Sequence, residues 1–80
     1  MWILLHAAAV TRCLLIDDDE QIRTTLSDYL QGFGMVVHAA SDGAGMREAL
    51  AVHTFQLIIL DVMLPGENGL ELCRWLRQRQ

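Results

Sequence analysis

Three aspartates, Asp17, Asp18 and Asp61, hold most of the chemistry this sequence offers. Asp17 and Asp18 open the acidic run "DDDE" directly behind the apolar "RCLLI", and Asp61 closes the equally apolar "LIILD". A carboxylate is costly to bury unpaired, so an apolar run that delivers one at its tip calls for a reason. If the two runs are neighbouring strands, three carboxylates converge on one small site. Like charges so close demand a cation. An all-oxygen set with open positions suits Mg²⁺, which keeps several waters and often holds a phosphate as well. A carboxylate in that setting is also a nucleophile toward phosphorus, giving an aspartyl phosphate, with the cation neutralising charge as the reactants approach. Taken singly, "DDDE" reads equally well as a solvated turn capping a helix, and Asp61 as a turn residue at a strand end. Their joint spacing favours the metal-assisted reading.

The elements that must position these residues follow from the hydrophobic period. Residues 12–16, "RCLLI", form a short continuous apolar run of the kind found in strands covered on both faces. Ile22, Leu26, Tyr29, Leu30 and Phe33 then recur at helical spacing, with Asp19 placed to cap that helix and Gly32 and Gly34 to end it. Residues 35–40 are a second strand candidate. "SDG" marks a cap or turn, and Met46, Ala49 and Leu50 line a short helix whose first turn Gly43 and Gly45 weaken. Residues 57–61 are a third strand. Pro65 and Gly66 shape the loop after it, Gly69 lets the next helix start close by, and Leu72, Cys73 and Leu76 line that helix from about Asn68 onward. The order β-α-β-α-β-α with apolar strands predicts a parallel sheet with right-handed crossovers. In such sheets ligands bind beyond the carboxyl ends of the strands, where the aspartates stand.

Eighty residues with 52% apolar content make one small domain with a core. The formal charge of −4 argues against a nucleic-acid module, and the arginines of "RWLRQRQ" read as favourable charge at a helix C-terminus. Cys13 and Cys73 sit in apolar runs without metal-ligand spacing and read as buried thiols of a reducing compartment. His6, His38 and His53 likewise lack zinc spacing and read as structural or surface positions. The start, "MWILLHAAAV", is apolar but lacks a positive flank and is too short to span a bilayer, so residues 1–11 read as an extension ahead of the domain.

Together, "LLIDDDEQIR" and the later "LIILDVMLPGENGLELCRWLR" resemble the receiver domain of bacterial two-component response regulators, and "DVMLPGENGL" resembles the OmpR-like transcriptional regulators among them. The resemblance covers about residues 12–80. It implies a cytoplasmic, flavodoxin-like (CheY-like) doubly wound α/β fold, of which this chain holds the first three βα units in strand order 2-1-3. Asp61 is then the phosphoacceptor for a sensor histidine kinase. The Mg²⁺ ligands are Asp18, Asp17 directly or through water, Asp61, and the backbone carbonyl of Met63. Ile22 stands four residues after Asp18, the family's offset for the second member of the acidic pair, which leaves Asp19 as the cap. A second receiver domain is a further implied partner, and neither nucleic acid nor membrane is expected at this segment.

The departures from the family pattern are as informative. Receiver domains place a Ser or Thr and a Lys at the ends of a fourth and a fifth strand. Here all six basic residues are arginine, and no Ser or Thr follows Thr54. The expectation is therefore a partial receiver over 12–80, lacking the later βα units and any DNA-binding effector domain. Its third strand, Leu57–Leu60, would lie as an unpaired apolar edge prone to association. A haloacid-dehalogenase-like phosphatase would carry a second Asp two residues after the first, but Met63 stands there and cannot serve as general acid. A docking module that accepts no phosphate is the other alternative.

Overall fold

Four strands and three helices, in the order β-β-α-β-α-β-α, make up a computed structural model that describes residues 1–5 and 11–79. Strand β1 is Trp2–Leu5, β2 Arg12–Ile16, β3 Val36–Ala40 and β4 Leu57–Leu60; helix α1 is Glu20–Gln31, α2 Gly43–Val52 and α3 Gly69–Arg77. Each helix starts at a side-chain cap whose oxygen accepts otherwise orphaned N–H groups. Asp19 accepts from Gln21 and Ile22, Asp42 from Gly45, and Asn68 from Leu70 and Glu71. Beyond α1 the chain turns through Gly34, whose φ of +82° suits glycine.

β2 pairs parallel with β3 on one side and with β4 on the other. This is the strand order the resemblance implied. Alternate residues of the central strands face opposite layers. Leu14, Ile16, Ile58 and Leu60 pack beneath α2 and α3 with Met46, Leu72, Cys73 and Leu76. Cys13, Leu15, Leu57 and Ile59 face α1. Arg12 and Gln56 tie the lower ends of β2 and β4 together, since the Arg12 N–H donates to Gln56 Oε1 and the Gln56 N–H to the Arg12 carbonyl.

The N-terminal segment departs from expectation. Trp2–Leu5 stands ahead of residues 12–80 in the sequence but joins the same sheet, pairing antiparallel with β4 from Trp2↔Leu60 to Leu5↔Leu57. The sheet is therefore mixed, in the order β1-β4-β2-β3, and Leu57–Leu60 is an interior strand with no free edge. The physical cause is the cost of leaving a row of backbone N–H and C=O groups unpaired beside an apolar strand. The segment "WILL" is apolar and rich in strand-formers, and it satisfies that row from the same chain.

Helix α1 departs in a second way. Leu26 and Leu30 are half-buried against the sheet, but Ile22, Tyr29 and Phe33 are exposed, Phe33 by 68%. Among the described residues α1 is the only helix on this face, so its apolar stripe is wider than the surface that covers it. His38 and His53 form a tilted ring pair with centroids 4.4 Å apart and planes at 44°, against Phe55. His6 lies outside the described residues. Cys13 and Cys73 are free and buried. No helix among the described residues is long and apolar enough to cross a membrane.

Candidate functional site

The pairing of β2 with β4 decides the site. Ile16 stands beside Leu60 in the parallel register, so the residues that follow each strand emerge side by side. The ladder continues one step past the strands. The Asp61 N–H donates to the Ile16 carbonyl at 2.9 Å, and the Asp17 N–H to the Ala40 carbonyl at 3.1 Å. Both aspartates thus stand on backbone fixed by the sheet. Asp17, Asp18 and Asp61 each offer a carboxylate oxygen, and these three oxygens all lie within 4.8 Å of one another. Asp19 remains outside this group and caps α1, as its spacing predicted.

Each carboxylate is oriented by its own neighbours. Asp17 is only 9% exposed, and its Oδ1 accepts from the Asp19 N–H at 2.9 Å. Asp61 Oδ1 accepts from the Met63 N–H at 2.9 Å, and Oδ2 takes no part in that bond. Asp18 is exposed. Met63 is 80% exposed, and its contact with Asp61 is through its backbone N–H. Three mutually repelling carboxylates with spare lone pairs, at the open carboxyl end of a sheet, fit a small hard cation with oxygen ligands.

Two supporting residues carry no signal in the sequence. Arg23, one turn into α1, donates from Nη1 to the Asp17 carbonyl at 2.8 Å and so ties the helix to the strand end. Glu67 accepts from the Gly43 N–H at the start of α2 and lies 4.0 Å from Arg47, joining the loop after β4 to a neighbouring helix. Both are ordinary charged residues whose partners lie far off in sequence or on the backbone. Gly69, by contrast, was legible: a Cβ there would overlap the backbone of Val62, so only glycine lets α3 start so close behind the loop.

A doubly wound sheet bearing an aspartate cluster at its carboxyl end suits metal-assisted phosphate chemistry of more than one class. Comparison with known proteins narrows this to one family. A family model described as the response regulator receiver domain matches residues 13–80, and the chain belongs to that family. It is 51% identical over 67 residues to the transcriptional regulatory protein GltR of Pseudomonas aeruginosa, covering 84% of this chain and 28% of that protein. It is 45% identical over 75 residues to the protein PetR of Rhodobacter capsulatus, covering 94% of this chain and 32% of the relative. The chain therefore spans less than a third of the length of these relatives. Among solved structures, the receiver domain of the TMAO respiratory system response regulator TorR superposes with a TM-score of 0.83 at 36% identity, over 88% of this chain and 58% of that one. A complex of the histidine kinase ThkA with the response regulator protein TrrA matches with a TM-score of 0.81 at 31% identity, over 89% of this chain and 61% of the matched one.

Proposed function

We propose that this receiver domain accepts a phosphoryl group on Asp61 from a histidine kinase, with Asp17, Asp18, Asp61 and the Met63 carbonyl holding Mg²⁺. The observation that carries the reading is the convergence of the three carboxylate oxygens within 4.8 Å. Bound there, Mg²⁺ would offset negative charge shared between the carboxylates and an incoming phosphoryl group. The chain's own part is positional. The β4 ladder presents Asp61 at a fixed strand tip, and the Met63 N–H holds one of its oxygens. The Asp61 oxygen forms a bond to phosphorus as the bond from phosphorus to the donor's imidazole nitrogen breaks, and the electron pair returns to the imidazole. Asp17 and Asp18 would hold the cation.

The ThkA–TrrA likeness supports a kinase as partner. The GltR likeness supports origin in a transcriptional regulator of OmpR-like type. A cytoplasmic setting follows from such a kinase partner, and residues 12–80 form the receiver unit proper. Pairing with a second receiver belongs to the same reading.

The competing reading is a docking module without phosphoryl transfer. Incubation with acetyl phosphate, with and without Mg²⁺, separates the two. Mg²⁺-dependent, hydroxylamine-labile modification that disappears in Asp61→Asn is expected. A folded chain that binds Mg²⁺ but takes no phosphate would establish the docking reading instead.

A further inference from the structure

The loop that follows β4 is anchored at its two ends, where Asp61 accepts from the Met63 N–H and Asn68 caps α3. Between them Leu64 is buried, Gly66 turns the chain at a φ of +72°, and the Glu67 N–H reaches only the Leu64 carbonyl. Among the described residues, one hydrogen bond ties residues 62–68 to an element other than α3. In it the Glu67 carboxylate accepts from the N–H of Gly43, the first residue of α2.

Three further observations meet at this contact. Helix α2 has no acidic residue in its own first turn, so Glu67 supplies from another segment the negative charge that a helix N-terminus favours. Gly43 admits it, because a Cβ there would collide with the Glu67 carboxylate. That accounts for a glycine where helix propensity favours alanine. Arg47, one turn further along α2, lies 4.0 Å from Glu67 and reaches over the Trp75 ring of α3 at 5.7 Å from its centroid.

We propose that Glu67 is a positioning residue for the cation site: by clamping the loop to the first turn of α2 it fixes the backbone at Met63, so that metal binding and order at the start of α2 are coupled. The inference rests on the reading that Asp17, Asp18, Asp61 and the Met63 carbonyl hold Mg²⁺. That ion tolerates little departure from octahedral geometry, so a carbonyl offered by a loop is a good ligand only while the loop is held. Four residues separate Met63 from Glu67, and the clamp is their one tie to α2. Coupling is reciprocal: the factor by which the clamp raises metal affinity is the factor by which the metal tightens the clamp.

The test uses the full chain and Mg²⁺ alone, with calorimetry for affinity and amide exchange for order. Glu67→Ala should raise the Mg²⁺ dissociation constant at least about fivefold. Glu67→Gln, whose amide oxygen can still accept from Gly43, should recover most of that loss. Gly43→Ala favours the helix but displaces the carboxylate, so it should weaken Mg²⁺ binding as Glu67→Ala does without lowering helical content. The double variant should bind no more weakly than either single one, since both break the same contact. In the parent, saturating Mg²⁺ should slow exchange of the Gly43 amide by about the factor that Glu67→Ala costs in affinity, and in Glu67→Ala it should not. A glutamate that merely caps α2 would leave Mg²⁺ affinity unchanged in both single variants, and that result would overturn the clamp, as would additive losses in the double variant. Asp18→Ala separates the two possible failures. If the parent binds Mg²⁺ and Asp18→Ala does not, equal affinity in Glu67→Ala overturns the clamp alone; a parent that binds no Mg²⁺ overturns the cation site and the clamp's part in it.

Discussion

Replacing Asp61 by asparagine should make the metal-free domain more stable while removing its response to Mg²⁺. The three carboxylate oxygens lie within 4.8 Å of one another. Asp18 is exposed and Asp61 half-buried, so water-like screening is the appropriate limit. Two unit charges at that separation then repel by roughly 0.9 kcal/mol. Neutralising Asp61 removes two such pairs, about 2 kcal/mol in all. Against this, the Met63 N–H now donates to a neutral amide oxygen and not to a carboxylate, a loss of roughly 0.5–1 kcal/mol. A net gain of about 1 kcal/mol remains, which raises the melting temperature of a domain this size by about 4–8 °C. With Mg²⁺ at ten times its dissociation constant the parent gains about 1.4 kcal/mol, and the variant, short of a ligand, should gain far less. Thermal unfolding followed by circular dichroism, with EDTA and with Mg²⁺, measures both effects. A variant that melts at or below the parent in EDTA and gains as much from Mg²⁺ would show that the carboxylates do not share a site.

Gly69→Ala should destabilise by about 1–3 kcal/mol in urea titration, because the new methyl meets the Val62 backbone and the loop after β4 must shift; an unchanged midpoint would show that the loop and α3 separate freely. His38 has its pKa lowered by burial first and then by the charges of His53 and Arg12. The unfolded chain therefore takes up a proton at a pH where the folded chain does not. Stability is fully present above about pH 6.5, the unperturbed value, and falls as pH drops below it. His53, Arg12, Glu48 and Arg23 line the surroundings of this ring, and His38→Gln should flatten the slope of melting temperature against pH between 5 and 7. Burial pushes the Cys13 thiol up to about 11, so in the folded protein at pH 8 iodoacetamide should leave it unmodified until the chain unfolds. Rapid alkylation at Cys13 without unfolding would show that β2 is open to solvent on the α1 side.

Local order was written in the sequence. The strand at 12–16, the caps Asp19 and Asn68, the stops at Gly32 and Gly34, and the buried side of α3 at Leu72, Cys73 and Leu76 depend on contacts within a few residues, and periodicity and capping chemistry report such contacts directly. The aspartates were legible for a related reason: a carboxylate behind an apolar run is anomalous wherever that run lies. What the residues alone left open was whether the two runs are neighbours, and the parallel register of β2 with β4 decides that. The tertiary structure also placed Trp2–Leu5 on the outer edge of β4, set Arg23 against the Asp17 carbonyl, brought His38 against His53 and left Tyr29 and Phe33 exposed. Each of these depends on segments distant in sequence, or on how much surface a neighbouring layer covers. An apolar stripe shows which side of a helix can be buried, but only the layer packed against it determines how much of that side is.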